Sequence, residues 1–382
     1  MINYLIINFV ILFAFEIIGN GNQPDCLLVT LSSTDKENPC IMSIPGNLLT
    51  TAMAVMPHKD VDRALEVALS LDVPYWPQLP HVNYYEDMYV QASEHFPGIL
   101  LDVKGRTLRF SHEKFGAELE QALAHFEDPE YFDISPEYSV VYHRFLDMDL
   151  SERPGIRGQL EGPISFGFNV VDEQGRPILF DDTVRPFMME FMAKRASVQL
   201  ARLKKRNVNA FMFIDEPGLQ FLFSAMSGYG DVAAKKDMEV FFARIERPRG
   251  VHLCGNPDWD FLLTMDIDVL SLDTYSNAEV FVAYAPSIKR YLQKGGSLVW
   301  GIVPTNVEPF GMEDIDSLEQ RLTGLWDALG RSRIDREEML ARSMLSPATC
   351  CLVNPDGAKT VERAFACVQE LSMRLREKNR MP

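Results

Sequence analysis

The sequence predicts an α/β fold, a (βα)8 barrel of the TIM type with an insertion over its C-terminal mouth. Three observations carry that expectation. Short apolar runs alternate with amphipathic stretches, the connections between them are short, and seven repeats of this unit are clear with room for an eighth. At 382 residues the chain can hold one such barrel, which takes about 250 residues plus insertions.

Buried strands are expected at 48–55, 158–168, 210–214, 251–254, 269–272, 297–303 and 344–350, each an apolar run of the kind that parallel sheets cover on both faces. The eighth is expected near 73–79. Helices with one apolar face are expected at 60–71, 185–205, 236–245, 280–293, 314–329 and 359–377. The rhythm breaks over 82–152, where a hairpin across 99–110, turning at Lys104-Gly105, and two helical stretches read as the insertion. Internal repeats of the solenoid or propeller kind are absent, and no G-x-G-x-x-G follows the first strand, which disfavours a Rossmann fold. Residues 45–382 are therefore expected to form a single barrel domain, preceded by an extension, 1–44.

Within that extension, residues 4–18 (YLIINFVILFAFEII) are strongly apolar but short for a bilayer, interrupted by Asn8 and Glu16, and without a positive flank before Lys36. Three readings stay open: an extension or poorly packed tail, a signal or membrane anchor, and a barrel element. Elsewhere the composition, 47% apolar and 24% charged, is that of a compact globular chain. A net charge of -17 repels phosphate backbones and anionic membrane surfaces, so nucleic acid and membranes are not expected partners. Six cysteines (Cys26, Cys40, Cys254, Cys350, Cys351, Cys367) are too few for a disulfide framework in a chain this long, which suits a reducing, cytoplasmic setting.

In an α/β barrel the reactive side chains sit at the carboxyl ends of strands. Four expected strands end in such residues: one runs into Asp215-Glu216-Pro217, one into His252 and Cys254, one into Asp273 and one into Cys350. His252 and Cys254, two apart on a strand, project from the same face and can reach one ion together. Imidazole nitrogen with thiolate sulfur suits zinc, and Cys350 brings a third ligand from another strand end. Asp273 either closes the site weakly or orients His252 from behind. Three protein ligands with one exchangeable position describe a catalytic zinc; simple burial of the cysteines is the alternative. Asp215 and Glu216 either serve the substrate as ligands or proton carriers, or cap the following helix. The cluster Trp76, Gln78, His81, Tyr84, Tyr85 and Glu86 either lines a pocket or covers the insertion. Cys351 and Cys367 are expected to be structural.

Four motifs, in order, resemble the superfamily that joins cobalamin-independent methionine synthase with uroporphyrinogen decarboxylase and the corrinoid-linked methyltransferases: TTAMAVMPH (50–58), IDEP (214–217), HLCG (252–255) and SPATC (346–350). The likeness runs from about 48 to 371. It implies a barrel in which His252, Cys254 and Cys350 hold Zn2+, with Asp273 where the methionine synthases place a glutamate ligand. It also implies that Asp215 contacts the amino end of a substrate such as homocysteine. Asp215, Glu216 and Asp273 are then the catalytic candidates, and His58, Gln78, His81 and Glu86 join Asp215 as substrate-binding candidates. The implied reaction is methyl transfer to a small thiol. Two departures qualify the substrate: Ala54-Val55 replaces the usual Gly-Ser, removing a hydroxyl near the substrate carboxylate, and Cys351 replaces a glycine. The chain is also about half as long as the two-barrel methionine synthases, and the resemblance implies as donor a methyl-corrinoid, free or carried on a corrinoid protein, or a methyl-folate. A non-catalytic barrel that binds thiols or a corrinoid protein, and a metal-free decarboxylase, are the alternatives.

Overall fold

The computed structural model describes residues 44–222 and 229–381; the apolar stretch 4–18 lies outside them. Its centre is an all-parallel sheet of seven strands: β1 (Leu49–Thr50), β4 (Ile156–Glu161), β5 (Ala210–Asp215), β6 (Arg249–Leu253), β7 (Val269–Asp273), β8 (Ser297–Val303) and β9 (Ser343–Pro347). Between β1 and β4 in the chain, β2 (Ile99–Asp102) and β3 (Thr107–Phe110) form a separate antiparallel hairpin, as the sequence suggested. The order across the sheet, β1-β9-β8-β7-β6-β5-β4, brings the last strand beside the first and curls the sheet.

The two edges of the sheet are linked through the extended segment 73–78, the place of the expected eighth strand. Val73 N–H donates to Thr50 O at 2.9 Å and Gln78 N–H to Ala54 O at 2.9 Å, while Arg157 N–H donates to Pro74 O at 3.0 Å. These are isolated parallel bridges rather than a ladder. The cause is in the sequence: Pro74 and Pro77 have no N–H to give, so a continuous ladder cannot form there.

Alternation along each strand sorts the apolar residues into two cores. Met53, Val73, Phe211, Phe213, Val269, Val299 and Met344 pack with one another inside the curl. A larger cluster, which includes Trp76, Leu160, Met212, Ile214, Leu270, Trp300 and Trp326, fills the space between the sheet and the surrounding helices. On β4 the same alternation sends Gly158 outward, where a Cβ would meet Gln199 Oε1 and Leu203 of helix Val184–Lys204, and sends Arg157, Gln159 and Glu161 inward.

Several boundaries differ from expectation for identifiable reasons. The run 158–168 is a strand only to Glu161; Pro163 then opens the helix Pro163–Asn169. The single helix expected at 280–293 is two, Thr274–Val282 and Ala285–Gln293, because Pro286 starts a new one. The last strand stops at Pro347, so Cys350 sits beyond it in a loop. Among the described residues no helix is long and apolar enough to cross a membrane.

Candidate metal and substrate site

Register places the inward residues at the carboxyl ends in one row: Glu161 lies opposite Asp215, Asp215 opposite His252, and His252 opposite Ser271. His252, 4% exposed, sets Nδ1 at 3.0 Å from Ser271 Oγ and Nε2 at 3.1 Å from Cys254 Sγ. With Nδ1–H donated to Ser271, the Nε2 lone pair faces the sulfur. The partner that orients His252 is therefore Ser271 and not Asp273.

Cys254 also hydrogen-bonds Cys350, and neither thiol is in a disulfide. That hydrogen bond holds Cys350 below the usual thiol range and Cys254 well above it, with burial adding to the rise at Cys254. Cys350 is the more exposed residue of the pair. Burial, and then the charge of Arg157, push His252 down to about 3, so the ring is neutral and free to ligate at neutral pH.

The three donors form a chain of contacts with Cys254 in the middle. Among the described residues, the group whose possible ligand atoms all lie within 4.8 Å of one another is instead His112, Asp172 and Glu173. Those side chains are already committed: His112 pairs with Glu173 and Asp181, and Asp172 accepts from the Gln174 and Arg176 amides. Tetrahedral zinc wants N and S donors about 3.5–3.8 Å apart. The His252–Cys254 pair, at 3.1 Å, is a few tenths of an ångström closer than that and the Cys254–Cys350 pair is in contact, so an ion would have to part the first pair slightly and draw Cys350, on a loop, toward His252. A neutral imidazole and two thiols fit zinc in kind.

Asp215 stands beside this chain, its charge felt by both thiols and by Arg157. Arg157 is buried beneath it, bonded to Thr51 Oγ1 (3.2 Å), Gln159 Oε1 (3.1 Å) and Ala52 O, and flanked by the rings of Tyr75 (4.4 Å) and Phe213 (4.9 Å). Burial pushes Asp215 up to about 7, with Arg157 pulling the other way.

A stability prediction follows from these two shifts. An unfolded aspartate titrates near 3.9, so between about pH 4 and 7 the folded protein holds a proton that the unfolded chain releases, and this group subtracts stability as pH rises. His252 acts in the opposite sense between about pH 3 and 6.5, because the unfolded imidazole takes a proton that the folded one refuses. Asp215→Asn removes the first slope alone. In metal-free protein it should gain on wild type by a few kcal/mol as pH is raised from 4 to 7.5, measured by urea denaturation at each pH; parallel curves for the two proteins would refute the assignment.

The other candidates are placed elsewhere. Glu216, fully buried, spends both oxygens on the start of helix Pro163–Asn169, at Ile164 N (2.9 Å), Ser165 N (2.9 Å) and Ser165 Oγ (2.6 Å). It is a helix cap, of a preceding helix and not the following one. Asp273 caps Thr274–Val282 by accepting from Ser276 N at 3.0 Å. Glu86 holds the start of helix Val140–Leu146 through Ser139 Oγ and the Val140 amide, and joins Gln78 through Gln91. His58 reaches Glu362 of the last helix at 3.2 Å, and His81 is exposed, 3.3 Å from Pro57 O. In the structure the contacts of Gln78, Glu86 and His58 are thus stitches between elements. Cys351 is buried, as expected, and Cys367 half-buried. Absent from the sequence candidates is Glu161, which closes the row at the end of β4; the signal available was the Gly162-Pro163 that ends its strand.

The sequence matches no protein-family profile and no curated protein. Among solved structures it resembles a B12-independent methionine synthase from Shewanella sp. W3-18-1, in complex with selenomethionine, at a TM-score of 0.51 and 14% identity, over 88% of this chain and 96% of that one. A methyltransferase from Methanosarcina mazei follows at 0.49 and 13%, over 86% and 94%. The first likeness is one of fold: this chain is a curled parallel α/β protein of the architecture seen in that methionine synthase.

Proposed function

We propose that the protein is a zinc-dependent methyltransferase that moves a methyl group onto a small thiol, homocysteine or a close analogue, from a methyl-corrinoid or methyl-folate donor. The observation that carries the reading is the contact chain His252, Cys254, Cys350 at the strand ends, with Asp215 beside it. The shared fold with the Shewanella methionine synthase supports it.

His252, Cys254 and Cys350 would hold the metal, and zinc bound there would turn a thiol of ordinary pKa near 8.5 into a thiolate at neutral pH. Ser271 fixes the imidazole so that Nε2 is the ligating atom. Asp215 receives the amino end of the substrate and so aims its sulfur, while Arg157 keeps part of the Asp215 charge in place. Glu216 and Asp273 act by capping the helices that carry the rim of the site.

The test is turnover with methylcobalamin and with methyl-folate, each with homocysteine, following thioether by mass spectrometry before and after chelation. Thioether formed only with zinc present is expected. Full activity in metal-free protein would reject the reading, as would thiol uptake without thioether, the behaviour of a binding module.

A further inference from the structure

The insertion is fastened to the barrel through a histidine. His112 opens the helix His112–Ala124 directly after β3, and every nitrogen it has meets a carboxylate of the segment 171–183. Its amide donates to Glu173 Oε1 at 2.8 Å, Nδ1 lies 3.0 Å from Glu173 Oε2, and Nε2 lies 2.9 Å from Asp181 Oδ2. An ionised carboxylate only accepts hydrogen bonds, and a neutral imidazole carries one N–H. Both ring contacts are therefore complete only in the imidazolium, so a proton is part of this joint.

The joint connects pieces that lie far apart in the chain. Asp181 uses its other oxygen on the start of helix Val184–Lys204, at Thr183 N (2.8 Å) and Val184 N (3.0 Å). The segment 171–183 itself leaves helix Pro163–Asn169, whose first turn Glu216 caps. Phe110 N–H adds a bond to Val171 O at 2.9 Å, and the rings of Phe110, Phe115 and Phe187 are buried beneath. That apolar contact does not titrate.

The charged groups that face the ring are carboxylates: Glu173, Asp181, and Asp172, which has an oxygen within 4.8 Å of both His112 and Glu173. On its own helix Glu113 comes next in the chain. Cations of the neighbouring elements are turned to other partners, Lys114 to Ile99 O and Glu118, Arg176 to Phe180 O, and Arg185 to Asp182 and Asp237. Burial pulls the ring toward neutrality, but the bonds to Glu173 and Asp181 and their charges outweigh it and hold His112 above the ordinary imidazole value. The same bond, above all, holds Glu173 down to about 2. A basic group raised on folding gives stability that is complete below its unfolded value, about 6.5, and is lost as pH climbs through the folded value.

We propose that His112 is a pH-operated latch: as an imidazolium it clamps the insertion to the segment 171–183, and on giving up its proton it lets that segment and the first turn of its own helix part. With 38% of its side chain exposed, the ring exchanges that proton directly with solvent. Deprotonation leaves one ring N–H for two carboxylates, so one bond is lost and the charge attraction of both goes with it. The buried rings keep the opening at the rim.

NMR titration of the histidine ring signals of the full chain from about pH 5 to 9 tests this, with amide protection factors followed over the same range. The His112 signal, identified by its absence in His112→Asn, should titrate above about 6.5. Protection at 112–116 and 173–184 should fall roughly 3- to 10-fold across that midpoint while the β2–β3 ladder keeps its own. Glu173→Gln and Asp181→Asn should each move the midpoint down, and the signal that moves identifies His112 if the asparagine variant does not fold. A wild-type His112 that titrates at or below the unfolded value would overturn the proposal. So would protection that stays level through its titration, the behaviour of a histidine that only packs.

Discussion

Cys254→Ser should strip the protein of its metal. Cys254 is the middle of the contact chain, touching His252 Nε2 at 3.1 Å and the Cys350 thiol on its other side, so its loss separates the two remaining donors. A serine hydroxyl is a poor zinc ligand and stays protonated where a thiol ionises. Loss of a mere supporting residue behind a ligand weakens metal binding about 10- to 100-fold, and loss of the central ligand should exceed that. Metal analysis after dialysis should read near one zinc per chain for wild type and near none for the variant, with thioether formation lost in parallel. Cys351→Ser is the control: Cys351 is buried 5% exposed beside Asn306 and outside the chain of donors, and its zinc content should match wild type. Equal zinc in Cys254→Ser and wild type would remove the basis for the metal.

Arg157→Ala should be the most destabilising single change in the interior of the sheet. The guanidinium, 1% exposed, satisfies Thr51, Ala52 and Gln159 and fills the space between Tyr75 and Phe213. Truncation empties that space, leaves acceptors unpaired and removes the positive charge felt by Asp215. Removing one member of such a buried polar set costs about 3–5 kcal/mol. Arg157→Met, which refills most of the space but leaves the same acceptors unpaired, should cost less than alanine by the cavity part alone. Urea midpoints of the three proteins measure this, and an alanine variant within about 1 kcal/mol of wild type would contradict the account.

Much of this arrangement was legible in the chain. Strand β8 was bounded to the residue by its apolar run, and β5, β6 and β7 to within two residues, since buried parallel strands are continuous apolar stretches flanked by polar turns. The segment 73–78 was legible as extended, while its irregular bonding followed from two prolines that the apolar pattern does not weigh. The contacts of Cys254 with His252 and with Cys350 were legible because alternation is a local rule and strand ends converge by topology; that the three hold a metal is the proposal. What escaped was Glu161, because a strand read as running on to Phe168 buried it in mid-strand, where a carboxylate draws no notice; its true place follows only once Pro163 is taken as a helix start. Gln78, Glu86 and Glu216 were legible as polar residues near the right place, but their orientation is decided by which helix start lies in reach, and sequence spacing carries no record of that.

The position of Cys350 beyond the final strand has a consequence for how the protein is made. In the proposed zinc site the other two donors, His252 on β6 and Cys254 just past its end, leave the ribosome roughly a hundred residues earlier, and β9 must be made before the third can reach them. An unfinished chain would therefore offer the proposed centre only two donors, too few to keep an ion against competing cellular thiols, and the centre would form only after synthesis has passed the last strand.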